Sequence, residues 1–222
     1  MIAAARYSPI VALDVDGVLR VPEPRPGEGT EVFAVEITMH RDRFPKALHR
    51  SPRWDEDGAF TATHFFSATG VEWVRSLVER GVDVRWCTTW GIHANTYFTT
   101  LLDLPELPTI FAPPRWDENA VEWKVRIIAE ASRGRPVLWV DDQAWEEALR
   151  YTHTPRALTG VRHIHPAVGI TADDVTAMND WLALAGSPEG LDELRHQWRR
   201  QRDRQRRRGV RPFPAEWAAL IR

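Results

Sequence analysis

Hydrophobic and polar positions along the chain follow two alternating periods. Pro9 to Leu13 (PIVAL) is a short continuous apolar run, the pattern of a strand buried on both faces of a parallel sheet. Similar runs recur at 82–89 (VDVRWCTT), 109–113 (TIFAP), 136–140 (PVLWV) and 161–165 (VRHIH). Between them the spacing becomes helical. Val71, Val74, Leu77 and Val78 share one face of a helix that opens at Thr69-Gly70-Val71-Glu72, with capping-box spacing, and ends at Gly81. Further helices are expected around His93 to Leu102, from Asp117 to Ser132, from Gln143 to Arg150, and from Thr171 to Leu184. Strand–helix alternation at this spacing predicts an α/β fold with a doubly wound parallel sheet.

The alternation is interrupted once, at residues 20–67. A Pro/Gly-rich loop (VPEPRPGEG) leads into EVFAVEIT, whose pattern has period two, and FTATHFF (Phe60 to Phe66) reads as its partner strand. This is a β-hairpin insertion, too small for a second domain. Residues 1–190 therefore read as one domain and 191–222 as a helical tail. In the tail Leu191, Leu194 and Trp198 share a face, but from Arg199 to Gly209 there is no apolar residue to pack on a core. Val210, Phe213, Trp217, Leu220 and Ile221 then form a short apolar end.

Composition narrows the class. Hydrophobic residues are 43% and charged residues 27% of the 222, which excludes a mostly disordered chain and allows a core without staples. No apolar run approaches the roughly 20 residues of a membrane helix, and the N-terminus lacks a leader pattern, so a cytoplasmic protein is expected. The single cysteine, Cys87, excludes an internal disulfide and a cysteine zinc cluster, and is expected as a small core residue. The net charge of −2 hides a split: residues 191–222 carry ten Arg against four acidic residues, a net +6, which leaves −8 on the rest. An acidic body is not a general nucleic-acid surface; the tail reads either as a nucleic-acid-binding arm or as a solvated helix. Lys46 and Lys124 are the only lysines beside 27 arginines, so each stands out.

The ends of the apolar strands carry the candidate chemistry. The first runs into Asp14-Val15-Asp16-Gly17, two carboxylates that share a side if the chain stays extended. Such acids are costly at a buried strand end unless they bind a cation or react, and ligands of parallel sheets bind at this edge. The second strand ends in Thr88-Thr89, hydroxyls suited to an oxyanion. The fourth ends in Asp141-Asp142, an acidic pair that a divalent cation would relieve. Lys124 lies in the helix before it.

In this order, DVDGV at 14–18, CTTW at 87–90, Lys124 and WVDD at 139–142, the chain resembles the haloacid dehalogenase-like (HAD) phosphohydrolase superfamily over about residues 8–185. The DVDGVL start, the TTW followed by His93 and Asn95, the WVDD and the late HPAVGIT are closest to the HAD domain of Swiss Army Knife RNA-repair proteins. The resemblance implies a Rossmannoid sheet of strand order 5-4-1-2-3, with a cap at the insertion. It implies Asp14 as nucleophile, Asp16 as general acid and base, and Lys124 and Thr88, with Thr89 second to it, on the phosphoryl group; His93 and Asn95, just after the threonines, are placed either to touch the substrate or as ordinary polar residues at a helix start. A Mg²⁺ ion would be held by Asp14, Asp141 and Asp142 with the carbonyl of Asp16. The expected function is Mg²⁺-dependent phosphoester hydrolysis through an aspartyl-phosphate, on RNA or DNA ends such as an RNA 3′-phosphate. The alternatives are a nucleotide or sugar phosphatase, and a non-catalytic scaffold that binds RNA or a protein.

Other residues read more plainly. His163 and His165 share a strand face but lack a third metal ligand, and are expected as ordinary strand-end histidines. Trp54, Trp90 and Trp116 are expected to pack in the core rather than stack a base. His40, Arg41, Arg43, Lys46, His49, Arg50 and Arg53 make the insertion locally basic, either to meet an anionic substrate or as a solvated loop.

Overall fold

The computed structural model describes residues 8–23, 31–46, 48–144 and 158–207. Strand β1 (Ile10–Leu13) is central. It pairs in parallel with β5 (Asp83–Trp86) on one side and β6 (Val137–Asp141) on the other, and β6 pairs in parallel with β7 (Thr159–His163). The sheet order is β5-β1-β6-β7. Alternation along β1 divides the core. Val11 and Leu13 join Val84, Trp86, Leu138 and Val140 on one face, under Val71, Val74 and Leu77 of α1 (Ala68–Glu79) and Met178 and Leu182 of α3 (Ala172–Ala185). Ile10 and Ala12 join Val137 and Trp139 on the other, under Trp123, Val125, Ile127 and Ile128 of α2 (Ala120–Ser132). Helices on both faces of a parallel sheet are the expected doubly wound α/β arrangement. Each fully buried large side chain contributes roughly 1.5–3 kcal/mol through removal from water.

The insertion forms a separate antiparallel sheet of β2 (Arg20–Val21), β4 (Ala59–Ser67) and β3 (Val32–His40), in the order β2-β4-β3. Its register, Val32 opposite Ser67 through His40 opposite Ala59, pairs the two segments read as partners. β4 continues directly into α1, and this moves the expected cap. Ser67, not Thr69, caps α1: its Oγ accepts from Gly70 N at 3.0 Å and donates to Ile170 O at 3.0 Å. Capping boxes at Asn119/Glu122 and Thr171/Asp174 open α2 and α3.

The expected five-strand order is not what the sheet shows. TIFAP makes only a single parallel bridge, Thr109 to Trp86, with Trp86 N bonded to Pro108 O and Ile110 N to Trp86 O. β5 ends at Trp86 and so offers no further partner, and Pro113 and Pro114, without N–H groups, could not extend a ladder. The second strand is also shorter than its apolar run: Cys87 N still bonds Leu13 O, but the chain then turns. The helix expected around His93 to Leu102 is present but short, running from His93 to Thr99 and π-helical over Asn95–Thr99.

Helix α4 (Pro188–Arg207) packs Leu191 and Leu194 with Ala185, Leu158, Trp181 and Leu184, beside the start of β7. It is therefore rooted at the sheet edge opposite the strand carboxyl ends. The expected helix at Gln143–Arg150 lies mostly outside the described residues, as do part of the Pro/Gly loop and the apolar end at 210–221. Among the described residues, no helix is long and apolar enough to cross a membrane.

Candidate active site

The same alternation that divides the core assembles the site. Asp14 follows Leu13 and so continues the α2 face of β1; Asp141, two residues after Trp139, lies on that face of β6. Lys124, in the second turn of α2, reaches both. Its Nζ donates to Asp14 Oδ2 and, at 2.5 Å, to Asp141 Oδ2. All three are buried: Asp14 is 4%, Lys124 2% and Asp141 0% exposed. Asp141 also accepts from Trp139 Nε1 at 3.0 Å and Gln143 N at 2.8 Å, and Val15 N donates to Asp14 Oδ1 at 2.7 Å.

Asp142 adds a third carboxylate. One oxygen from each of Asp14, Asp141 and Asp142 lies within 4.8 Å of the others. Asp142 Oδ1 is buried without a hydrogen-bond partner. Gly17 permits this approach: a Cβ there would sit 2.6 Å from the Asp142 carboxyl, and its φ of +71° already favours glycine.

Three carboxylates around one ammonium leave the cluster negative. Burial pushes Asp14 up to about 7; Lys124 pulls it back, while Asp141 and Asp16 push it further. Burial, reinforced by Asp141, raises Asp142 to about 6. Burial opposes the charge on Lys124, but Asp14 and Asp141 outweigh it and hold the ammonium above its ordinary range. Burial also raises the Cys87 thiol, so it stays neutral as an expected core residue. A carboxylate cluster with an unpartnered buried oxygen fits a hard divalent cation such as Mg²⁺.

Asp16 does not share the side of Asp14. The chain leaves the extended path at Val15, whose carbonyl accepts from Val18, Leu19 and Arg20 N. The Asp16 carboxylate instead meets Arg20 Nη2 at 2.6 Å and accepts from Trp90 Nε1 at 3.0 Å. Neither Arg20 nor its neighbour His64 stood out in the sequence. Arg20 lies opposite Phe66 in the β2–β4 register, which puts His64 two residues along on the same face. The signal was a polar residue at a core-facing position of an alternating strand, and only the register shows what it faces. His64 Nδ1 accepts from Arg20 Nη1 at 3.3 Å. Burial, then Arg20, lowers His64 to about 4 against the pull of Asp16, so it is neutral at physiological pH.

The two threonines separate. Thr88 is fully buried, and its Oγ1 accepts from Trp90 N at 3.4 Å. Thr89 Oγ1 is 2.7 Å from His49 Nε2. His49 lies 4.5 Å from the Trp90 ring, centroid to centroid. Burial lowers its pKa, with Asp16 opposing and Arg20 assisting. Of the seven cations singled out in the insertion, His49 is the one with a bond to the motif loop; the other six are exposed.

Other expectations fare differently. Asn95 bonds to the fold: its Oδ1 accepts from Trp86 Nε1 at 2.8 Å and Leu107 N at 3.1 Å, and its Nδ2 donates to Leu107 O at 2.9 Å. His93 is half-buried and makes no contact with the acids; burial lowers its pKa. Neither His163 nor His165 belongs to the acidic cluster, and His165 is exposed. Trp90 is buried, with Arg20 over its ring at 5.2 Å and His49 beside it, and Trp54 packs on Phe44. Trp116 departs from the expected core packing, at 97% exposed. Its loop, held by Arg126–Glu118 and by Trp123 Nε1 donating to Ala112 O at 2.6 Å, joins the carboxyl edge of the sheet to α2.

No known protein family, curated protein or solved structure matches the chain.

Proposed function

We propose that the chain is a HAD-type phosphoester hydrolase that works through an aspartyl-phosphate on Asp14. One observation carries this reading: a buried lysine bridges two strand-end aspartates, with a third beside them. The order of these residues in the chain matches the motifs on which the resemblance rests.

Asp14 attacks the phosphorus, and the bond to the leaving oxygen breaks as the aspartyl bond forms. Asp16 protonates that oxygen, then takes a proton from the water that releases phosphate from Asp14. Lys124 keeps Asp14 and Asp141 in place and offsets negative charge near the phosphoryl group. Thr88, the buried hydroxyl of the motif loop, is the one to contact a phosphoryl oxygen. Asp14, Asp141 and Asp142, with the Asp16 carbonyl, are the residues to hold Mg²⁺, which when bound supplies charge neutralisation for the phosphoryl oxygens.

For the substrate, an RNA or DNA end is supported by Arg115 and Trp116, both exposed on a tied-down loop at the same sheet edge as the acids. An exposed indole beside a cation suits a base and its phosphate. The small-ester reading is supported by His49, Phe44 and Trp54, which pack together with Trp90, the indole bonded to Asp16. The test is a phosphate-release screen with Mg²⁺ across 3′- and 5′-phosphorylated oligonucleotides, nucleotides and sugar phosphates. Release that is lost in Asp14→Asn and in excess chelator is expected. Release that persists in both removes Asp14 and the metal from the reaction, and no release from any ester sinks the reading.

A further inference from the structure

We propose that Arg20 is the positioning residue for Asp16, so that the junction between the two sheets governs proton delivery to a poor leaving group. This rests on the phosphoester reading and adds a residue that none of the sequence motifs contains.

The backbone of Arg20 is anchored at both ends. Its N–H donates to Val15 O at 2.8 Å, and its carbonyl accepts from Gly17 N at 2.8 Å, which closes the turn that carries Asp16. Its side chain is held at three places: Nη2 on Asp16 Oδ1 at 2.6 Å, Nη1 on His64 Nδ1 at 3.3 Å, and the guanidinium over the Trp90 ring at 5.2 Å. Trp90 Nε1 in turn donates to Asp16 Oδ2 at 3.0 Å. Asp16 Oδ2 thus accepts from the indole, while Oδ1 is in ion-pair contact with the guanidinium stacked on that same indole and accepts no hydrogen bond, which leaves it able to carry the proton.

The hydrogen bond on Oδ2 and the ion-pair contact on Oδ1 together set the rotation of the carboxylate. An exposed ion pair leaves its partners mobile and is worth little, but these side chains are only 22% and 33% exposed and the guanidinium is stacked. A general acid must sit within hydrogen-bond reach of the leaving oxygen, and a small displacement costs rate. Arg20 begins β2, so the insertion sheet holds the arginine while the motif loop holds the tryptophan.

The experiment compares turnover of p-nitrophenyl phosphate, whose phenolate leaves without a proton, with glycerol 3-phosphate, whose alkoxide needs one. Arg20→Gln is expected to lower kcat about tenfold more on the alkyl ester than on the aryl ester. That is part of the roughly hundredfold or greater effect general acids supply. Arg20→Lys should recover part of the loss. Trp90→Phe removes only the second donor while keeping a ring, and should show the same split even if Arg20→Gln does not fold. Equal losses on both esters in these variants make Arg20 a structural ion pair and overturn the proposal. Asp16→Asn separates the two ideas. If it shows the split and the Arg20 variants do not, only the role of Arg20 fails. If it shows no split, or the wild type cleaves neither ester, the reading of Asp16 fails and takes Arg20 with it.

Discussion

Asp14 is where charge, burial and chemistry meet. Its carboxyl is raised from an ordinary 3.8 to about 7 because it is buried beside other acids, despite the ammonium of Lys124. The metal-free fold therefore holds a proton that the unfolded chain releases. The stability this gives is fully present below about pH 4 and is lost as pH rises through 7. Asp142, raised to about 6, acts in the same direction. Asp14→Asn removes the larger of these two effects. Its expected effect is complete loss of turnover with a higher melting temperature than the wild type in chelator, by a margin that widens from pH 5 to pH 8. Melting curves across that range check it; a margin that narrows as pH rises contradicts the origin of the shift in a buried, crowded acid.

At the scale of elements, α4 shows how a sequence pattern can point two ways. Its first turns are tied down by Leu191 and Leu194, and its later turns carry only polar and charged residues. Arg195 and Arg200 pair with Asp192 and Glu193 on the helix itself, contacts that contribute little in water. Because the helix is rooted at the edge opposite the acids, small esters do not need it. Replacing Arg199, Arg200, Arg204 and Arg207 by Gln should leave small-ester turnover unchanged. If the helix holds a polynucleotide, the same variant binds oligonucleotides more weakly and flattens the salt dependence. Three lost phosphate contacts would change the single-strand slope by about 2, at −0.7 each. Unchanged affinity and slope make α4 a solvated extension.

For the whole molecule, the three aspartates come from β1 and β6 and the lysine from α2, so the site exists only once the sheet and its helix are assembled. A cation that binds only this arrangement must stabilise the fold. At a concentration of about 100 Kd the linkage is about 2.7 kcal/mol, which for a domain of this size raises the melting temperature on the order of 5–10 °C. Mg²⁺ added to chelator-treated protein should produce such a shift, and Asp142→Asn should reduce it; scanning calorimetry with and without the ion checks both, and no shift removes the metal site. The parallel strands, the helices between them, the hairpin pairing and the order of the acids and Lys124 are legible in the chain alone, because apolar period and strand-end chemistry are local. Sequence reading overreached at TIFAP, whose apolar run cannot show that β5 ends at Trp86 and leaves it a single bridge. It also overreached at Trp116, where aromatic content said nothing of exposure. That Asp14 and Asp16 part, that Arg20 and His64 stand against Asp16, that His49 reaches Thr89 and that Asn95 bonds inward is visible only in the folded chain. Each of these depends on a turn or on a register between distant strands, and residues far apart in the chain become neighbours only through packing.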